Sequence, residues 1–131
     1  MTRPNKPIRA YDEFTTNIKG LPEGEYVTQT MYSDAHPFVV VSRTAQTITV
    51  LPVRTKLDPD WKPNILPGGF CGHCTNQETQ TYIYDGVDHD AKLTVLRLKK
   101  SRYYGSDKLW NSPKLGEFCA NGADRFHDYN F

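Results

Sequence analysis

Short segments in which apolar and polar residues alternate constrain this chain more than any other feature. A strand turns successive side chains to opposite faces, so alternation marks a sheet with one face buried. In EYVTQTMY (25–32), Tyr26, Thr28, Thr30 and Tyr32 fall on one face and Val27, Gln29 and Met31 on the other. SDAHP then turns the chain, because Asp and Pro each favour a turn by its own mechanism. FVVVSRT, the polar break AQ and TITVLPVRT follow. Three strands with short connections predict an antiparallel meander. Pro52 interrupts the third, which assigns it to an edge or a bulge, since proline cannot donate to a ladder.

Downstream, ETQTYIYD (78–85) reads as a further strand. AKLTVLRLKKSRYY (91–104) carries the strongest alternation, with Leu93, Val95 and Arg97 opposite Thr94, Leu96 and Leu98. In ADRFHDYNF (123–131), Phe126, Asp128 and Asn130 alternate with His127, Tyr129 and Phe131, which predicts a closing strand docked on the core. Two long loops separate these strands. LDPDWKPNILPGG (57–69) holds three prolines and two glycines, and GSDKLWNSPKLG (105–116) is the second. Near the start, Tyr11, Phe14 and Ile18 fall at i, i+3 and i+7 of AYDEFTTNIKG (10–20), which predicts one short helix ending at Lys19 and Gly20. Residues 1–9, MTRPNKPIR, read as a flexible arm ahead of a single β-rich domain over 10–131. The expected fold is mainly β: a small antiparallel barrel or strongly bent sheet, SH3-like or related, with one N-terminal helix. An α+β arrangement, with that helix on one sheet face, is the alternative.

Charge excludes some functions. Lys plus Arg number 16 and Asp plus Glu 15, which argues against an acidic DNA mimic and removes the high pI of a typical nucleic-acid binder. A local basic face survives that argument. Arg97, Lys99 and Arg102 with Tyr103 combine phosphate-seeking charge with a stacking ring, as single-strand binders do on barrels. The alternative is an edge strand guarded by lysines against aggregation. The start of the chain has no apolar leader, and no run approaches the ~18 apolar residues of a membrane span. Three cysteines in such a chain point to a cytoplasmic protein with reduced thiols and no membrane partner.

GGFCGHCTNQ (68–77) is the densest motif. Cys71, Cys74 and Cys119 with His73 or His127 have the ligand types of a zinc shell, but no second knuckle is present, so no metal is expected. A redox CxxC needs a helix start, and a strand follows here. Cys74 with His73 or His127 and Asn76 has the residue types of a cysteine nucleophile, but His73 and Cys74, adjacent on a strand, face opposite ways. Gly68, Gly69 and Gly72 favour φ > 0 and close approach of a ligand, His73 stands beside them, and Asn76, Gln77 and Gln80 add amides suited to base edges or a nucleotide. The competing reading is a glycine corner that leads a buried cysteine into a strand.

MYSDAHPFVVV followed by TITV, then GGFCGHCTNQETQTYIY, LTVLRLKKSRYY and RFHDYNF resemble, in order and spacing, a group of small tailed-phage proteins of uncharacterised function. The resemblance covers about residues 26–131. In that group the position of Cys71 is often a small residue, which makes the CxxC incidental to what the group does. The resemblance implies a phage or prophage origin and little chemistry. With the small β-rich body and the Pro/Gly loop, it leads to a non-enzymatic protein that binds a host component in the bacterial cytoplasm, such as a host defence factor, without a cofactor. Nucleic-acid or nucleotide sequestration is the alternative, and a zinc-dependent or cysteine-dependent protein comes third.

Overall fold

The computed structural model describes residues 16–31, 34–67, 72–100, 108–119 and 122–130. Ten strands occupy these residues: β1 (Ile18–Lys19), β2 (Tyr26–Thr30), β3 (Ala35–Arg43), β4 (Thr47–Leu57), β5 (Ile65–Leu66), β6 (His73–Cys74), β7 (Tyr82–Val87), β8 (Thr94–Lys100), β9 (Lys108–Ser112) and β10 (Gly116–Cys119).

Six of them close a barrel. β2, β3, β4, β8, β9 and β10 pair antiparallel in that order, and β10 returns to β2 with Cys119 opposite Thr28. Each barrel strand is followed around the wall by the next one in sequence, with residues 58–93 inserted between β4 and β8. Closure removes the free edges that make small sheets prone to aggregate. Every barrel strand sends at least one side chain into a single interior cluster: Val27, Phe38, Ile48 with Val50, Leu96, Trp110 and Phe118. Phe38 and Phe118 meet edge to face at 5.0 Å, a favoured aromatic geometry. Side chains fill the interior, so the barrel is a core and not a ligand container.

A second cluster lies on the outside of the wall. Tyr26, Val53 and Val39 project outward and are covered by Ile18, Tyr82 and Ala123. β4 is long enough to serve both layers. Thr47–Val50 pair with β8, and Val53–Leu57 pair with β7, which in turn carries β1 in parallel. Pro52 lies where β4 changes partners, and the main-chain oxygen of Pro52 accepts from Asp88 N at 2.9 Å. In an extended residue, N and C=O point the same way, so the missing N–H faces the gap between β8 and β7. The expectation of an edge or bulge gives way to this partner switch inside a central strand.

Two bulges shape the strands that pair with β4, one in the barrel wall and one in the outer layer. β3 gains one residue against β4 between Val40 and Ser42, and β7 gains one against β4 beside Gly86, whose φ of +94° suits only glycine.

The helix expected over residues 10–20 is corrected. Residues 10–15, like the arm at 1–9, lie outside the described residues. Ile18 and Lys19, at the end of the expected helix, form a strand opposite Tyr82 and Ile83, and no α-helix occurs among the described residues. Burial of Ile18 beside Tyr82 outweighs the helical spacing, in a stretch where Thr16 and Asn17 are weak helix formers. The loop expected over 105–116 is corrected too, because Lys108–Ser112 is β9. No helix of the described residues is long and apolar enough to cross a membrane.

Candidate functional site

The motif region lies in the insertion between β4 and β8. Asp58 opens it as a buried anchor: its carboxylate accepts from Lys19 Nζ at 2.6 Å, Thr81 Oγ1 at 2.9 Å and Asp60 N at 3.0 Å. The Lys19 contact is the largest reason its pKa falls to about 2. Trp61 packs in behind it, donating from Nε1 to Thr79 Oγ1 at 3.0 Å, with its ring 5.7 Å from that of Tyr129.

Gly68, Gly69 and Cys71 lie outside the described residues. Gly72 is described, and it is not among the glycines with positive φ. Its role is close approach. A Cβ there would stand 2.4 Å from Ile65 Cγ2 and 3.2 Å from the Leu66 oxygen, so the neighbour it admits is the chain's own β5. His73 is exposed and lies opposite Leu66. Cys74 is buried, and its thiol donates to Asn76 Oδ1 at 3.4 Å. Asn76 ties down the proline-rich loop, with Oδ1 accepting from Asn64 N at 2.7 Å and Nδ2 donating to the Lys62 oxygen at 2.9 Å. Gln77 is buried, and its Oε1 accepts from Tyr129 N at 2.9 Å.

The amides suited to a nucleotide are therefore engaged with main chain. Sequence reasoning gave Gln80 only a supporting place beside Asn76 and Gln77, yet it is the hub of this network. Fully buried, it accepts at Oε1 from Tyr82 OH at 2.6 Å and His127 N at 2.9 Å, and donates from Nε2 to the oxygens of Gln77 and His127. A buried glutamine needs most of its hydrogen-bonding capacity filled, and this one fills it across 47 residues of sequence.

The C-terminal residues meet the motif here. His127 is exposed and stands edge-on to Tyr129 at 4.7 Å, while burial pushes the Tyr129 hydroxyl pKa up. Cys119 is fully buried on β10, away from the β6 corner that carries Cys74. Among the described residues, no three His, Cys, Asp or Glu side chains gather as metal ligands.

The basic strand is β8, which follows the insertion in sequence and pairs with β4 and β9. On β8, Leu96 points into the barrel, and Val95, Arg97 and Lys99 point outward, as the alternation required. Arg97 stands between Thr47 of β4 and Asn111 of β9, and neither Arg97 nor Lys99 forms an ion pair among the described residues. Arg102 and Tyr103 lie outside the described residues. The alternation placed Leu93 and Val95 on this face, and sequence reasoning missed only Val41 of β3, which joins them. Val95 is 52% exposed and Leu93 58%. Val95 sits opposite Thr49, which sits opposite Ser42, and the β3 bulge leaves Val41 beside Ser42 at 48% exposure. The bulge that puts Val41 there has no local sequence signature.

Comparison with protein-family models, with curated proteins and with solved structures finds no match.

Proposed function

We propose that this protein acts by binding a protein partner and not by turning over a substrate, and that its contact face is the outer wall of β3, β4 and β8. One observation carries the proposal. Val95 opposite Thr49, Val41 beside Ser42 and Leu93 just before β8 are exposed on the outside of the barrel, with Arg97 and Lys99, which form no ion pair among the described residues, alongside. Fully burying an aliphatic side chain is worth roughly 1.5–3 kcal/mol, and these, about half exposed, have about half of that left to gain. Arginine beside such a patch is a common anchor at interfaces. The partner this face fits has an apolar centre and an acidic rim. In the phage setting that the sequence resemblance implies, it is a host component, and a host defence factor is the reading adopted. Because the amides of the motif corner are occupied by main chain, the corner supports this role as scaffold.

The test is capture from bacterial lysate by wild type, by the double change Val95→Glu with Arg97→Glu, and by the control Lys114→Glu. The proposal expects one host protein held by wild type and the control and lost by the double variant. Equal capture by all three, or a substrate consumed by the purified protein, contradicts it.

A second reading has its own observation: Arg97 and Lys99 share one outward face of one strand, two residues apart. A nucleic-acid partner would give affinity that falls with salt, with a log–log slope of roughly −0.7 per phosphate neutralised on a single strand. Absence of binding to single-stranded and double-stranded oligonucleotides at low salt removes it.

A further inference from the structure

Residues 122–130 cross the molecule, extended around Phe126 and turning at Tyr129 and Asn130, and the two edges of the segment are satisfied by different means. One edge meets β3 and the residue before it. Phe126 exchanges both main-chain hydrogen bonds with Ala35, each at 3.0 Å, and Asp128 N donates to Asp34 Oδ1 at 3.0 Å. The other edge has no neighbouring strand among the described residues. Side-chain amides take its place at every second residue. Asn17 holds the N–H of Arg125 at 3.1 Å and its oxygen at 2.7 Å. Gln80 holds the N–H of His127 at 2.9 Å and its oxygen at 3.0 Å. Gln77 takes the N–H of Tyr129 at 2.9 Å.

Period-two spacing is the repeat of an extended chain, so these three amides present the pattern of a strand edge. They read main chain and are indifferent to the side chains at 125, 127 and 129. Two positions add side-chain demands. Phe126 is 2% exposed, and the Asn130 amide bonds both main-chain groups of Cys74, at 2.7 and 2.9 Å.

We propose that this seam is a binding groove for an extended peptide, and that residues 122–130 are its resident occupant, an autoinhibitory strap. It is a surface distinct from the outer wall of β8 and does not depend on it. The ligand class is an extended segment of a partner protein with an aromatic residue at the Phe126 position and an amide side chain four residues later. Its main-chain N–H groups must be free at the positions of 125, 127 and 129. Added strands of this kind draw affinity from the main chain and selectivity from the alternate side chains. The strap has the advantage of tethering, which for a short link corresponds to a local concentration on the order of millimolar. A competing peptide therefore binds wild type only weakly, and weakening the strap raises its apparent affinity by freeing the groove.

The probe is a fluorescein-labelled synthetic peptide with the sequence of residues 122–130. It is titrated against the full chain as wild type, as Phe126→Ala and as Arg125→Ala. Arg125→Ala removes a second clamp, since that guanidinium donates to the oxygens of Ala35 and Phe126 and lies over the Tyr82 ring. The proposal expects at least tenfold tighter binding to each variant than to wild type. It also expects the peptide to raise the melting temperature of the variants and not that of wild type. A peptide N-methylated at His127 loses binding, as does one carrying the Phe126→Ala change. If Phe126→Ala is unfolded alone, recovery of folded signal with excess peptide supports the groove. The proposal is overturned if neither variant binds or is rescued better than wild type, or if the N-methylated peptide binds like its parent.

Discussion

Gln80 grips His127 by its main chain, accepting its N–H at 2.9 Å and donating to its carbonyl at 3.0 Å. The same amide accepts from Tyr82 OH at 2.6 Å. One buried side chain thereby joins the second strand of the outer layer to the C-terminal segment. Its replacement by alanine removes four hydrogen bonds, of which those with Tyr82 OH and the Gln77 oxygen are buried. Each such loss costs roughly 1–3 kcal/mol, so Gln80→Ala is expected to lower stability by about 3 kcal/mol. Urea unfolding checks this against Gln46→Ala, an exposed glutamine whose loss is expected to stay within about 0.5 kcal/mol.

Asp58 and Lys19 set one acid limit. The Asp58 carboxyl is held at about 2, below its ordinary 3.8, first by the hydrogen bond from Lys19. A group depressed in the folded state contributes stability that is present above its unfolded pKa and lost as pH falls through the folded one. Wild type is therefore expected to lose stability between about pH 4 and pH 2. Lys19→Ala flattens that window, read by denaturant unfolding at pH 7, 4 and 2.5.

His36 sets a second window at higher pH. Burial lowers its pKa below 6.5, Arg125 adds to the lowering, and Asp34 opposes it. The unfolded chain takes up the proton first as pH falls, so stability is complete above 6.5 and declines below it. His36→Gln is expected to remove the decline that sets in below pH 6.5 while leaving the Asp58 window in place. An NMR titration of the His36 ring locates the folded value directly.

Gly72 is held to glycine by contact with β5. Gly72→Ala is expected to destabilise by about 1–3 kcal/mol through overpacking against Ile65. Ile65→Ala should relieve much of that cost in the double variant. A double-mutant cycle reads the coupling, and additive effects would show that the two residues do not meet.

The parts of the fold legible in the sequence are those where one strand face is dry and the other wet. β8 is the clearest case, with Leu96 inward and Val95 and Arg97 outward. β9 was not legible, because Leu109 and Trp110 are adjacent and both buried, and burial on both faces erases alternation. Tyr26 to Gln29 is buried throughout for the same reason, one face in the barrel and one under the outer layer. Ile18 fell at helical spacing and belongs to a strand, since a two-residue element carries no period of its own. The motif corner showed its residue types but not their partners. Asn17 meets Arg125 across 108 residues and Gln77 meets Tyr129 across 52, distances over which local pattern says nothing.

The amide seam is the claim on which both the scaffold reading of the motif corner and the strap depend. Hydrogen exchange of the main-chain N–H groups of Arg125, His127 and Tyr129 tests it most directly. Protection close to that of barrel amides such as Leu96, reduced at His127 in Gln80→Asn, is the predicted result. Exchange of all three as fast as the exposed loop amide of Lys92 would contradict it.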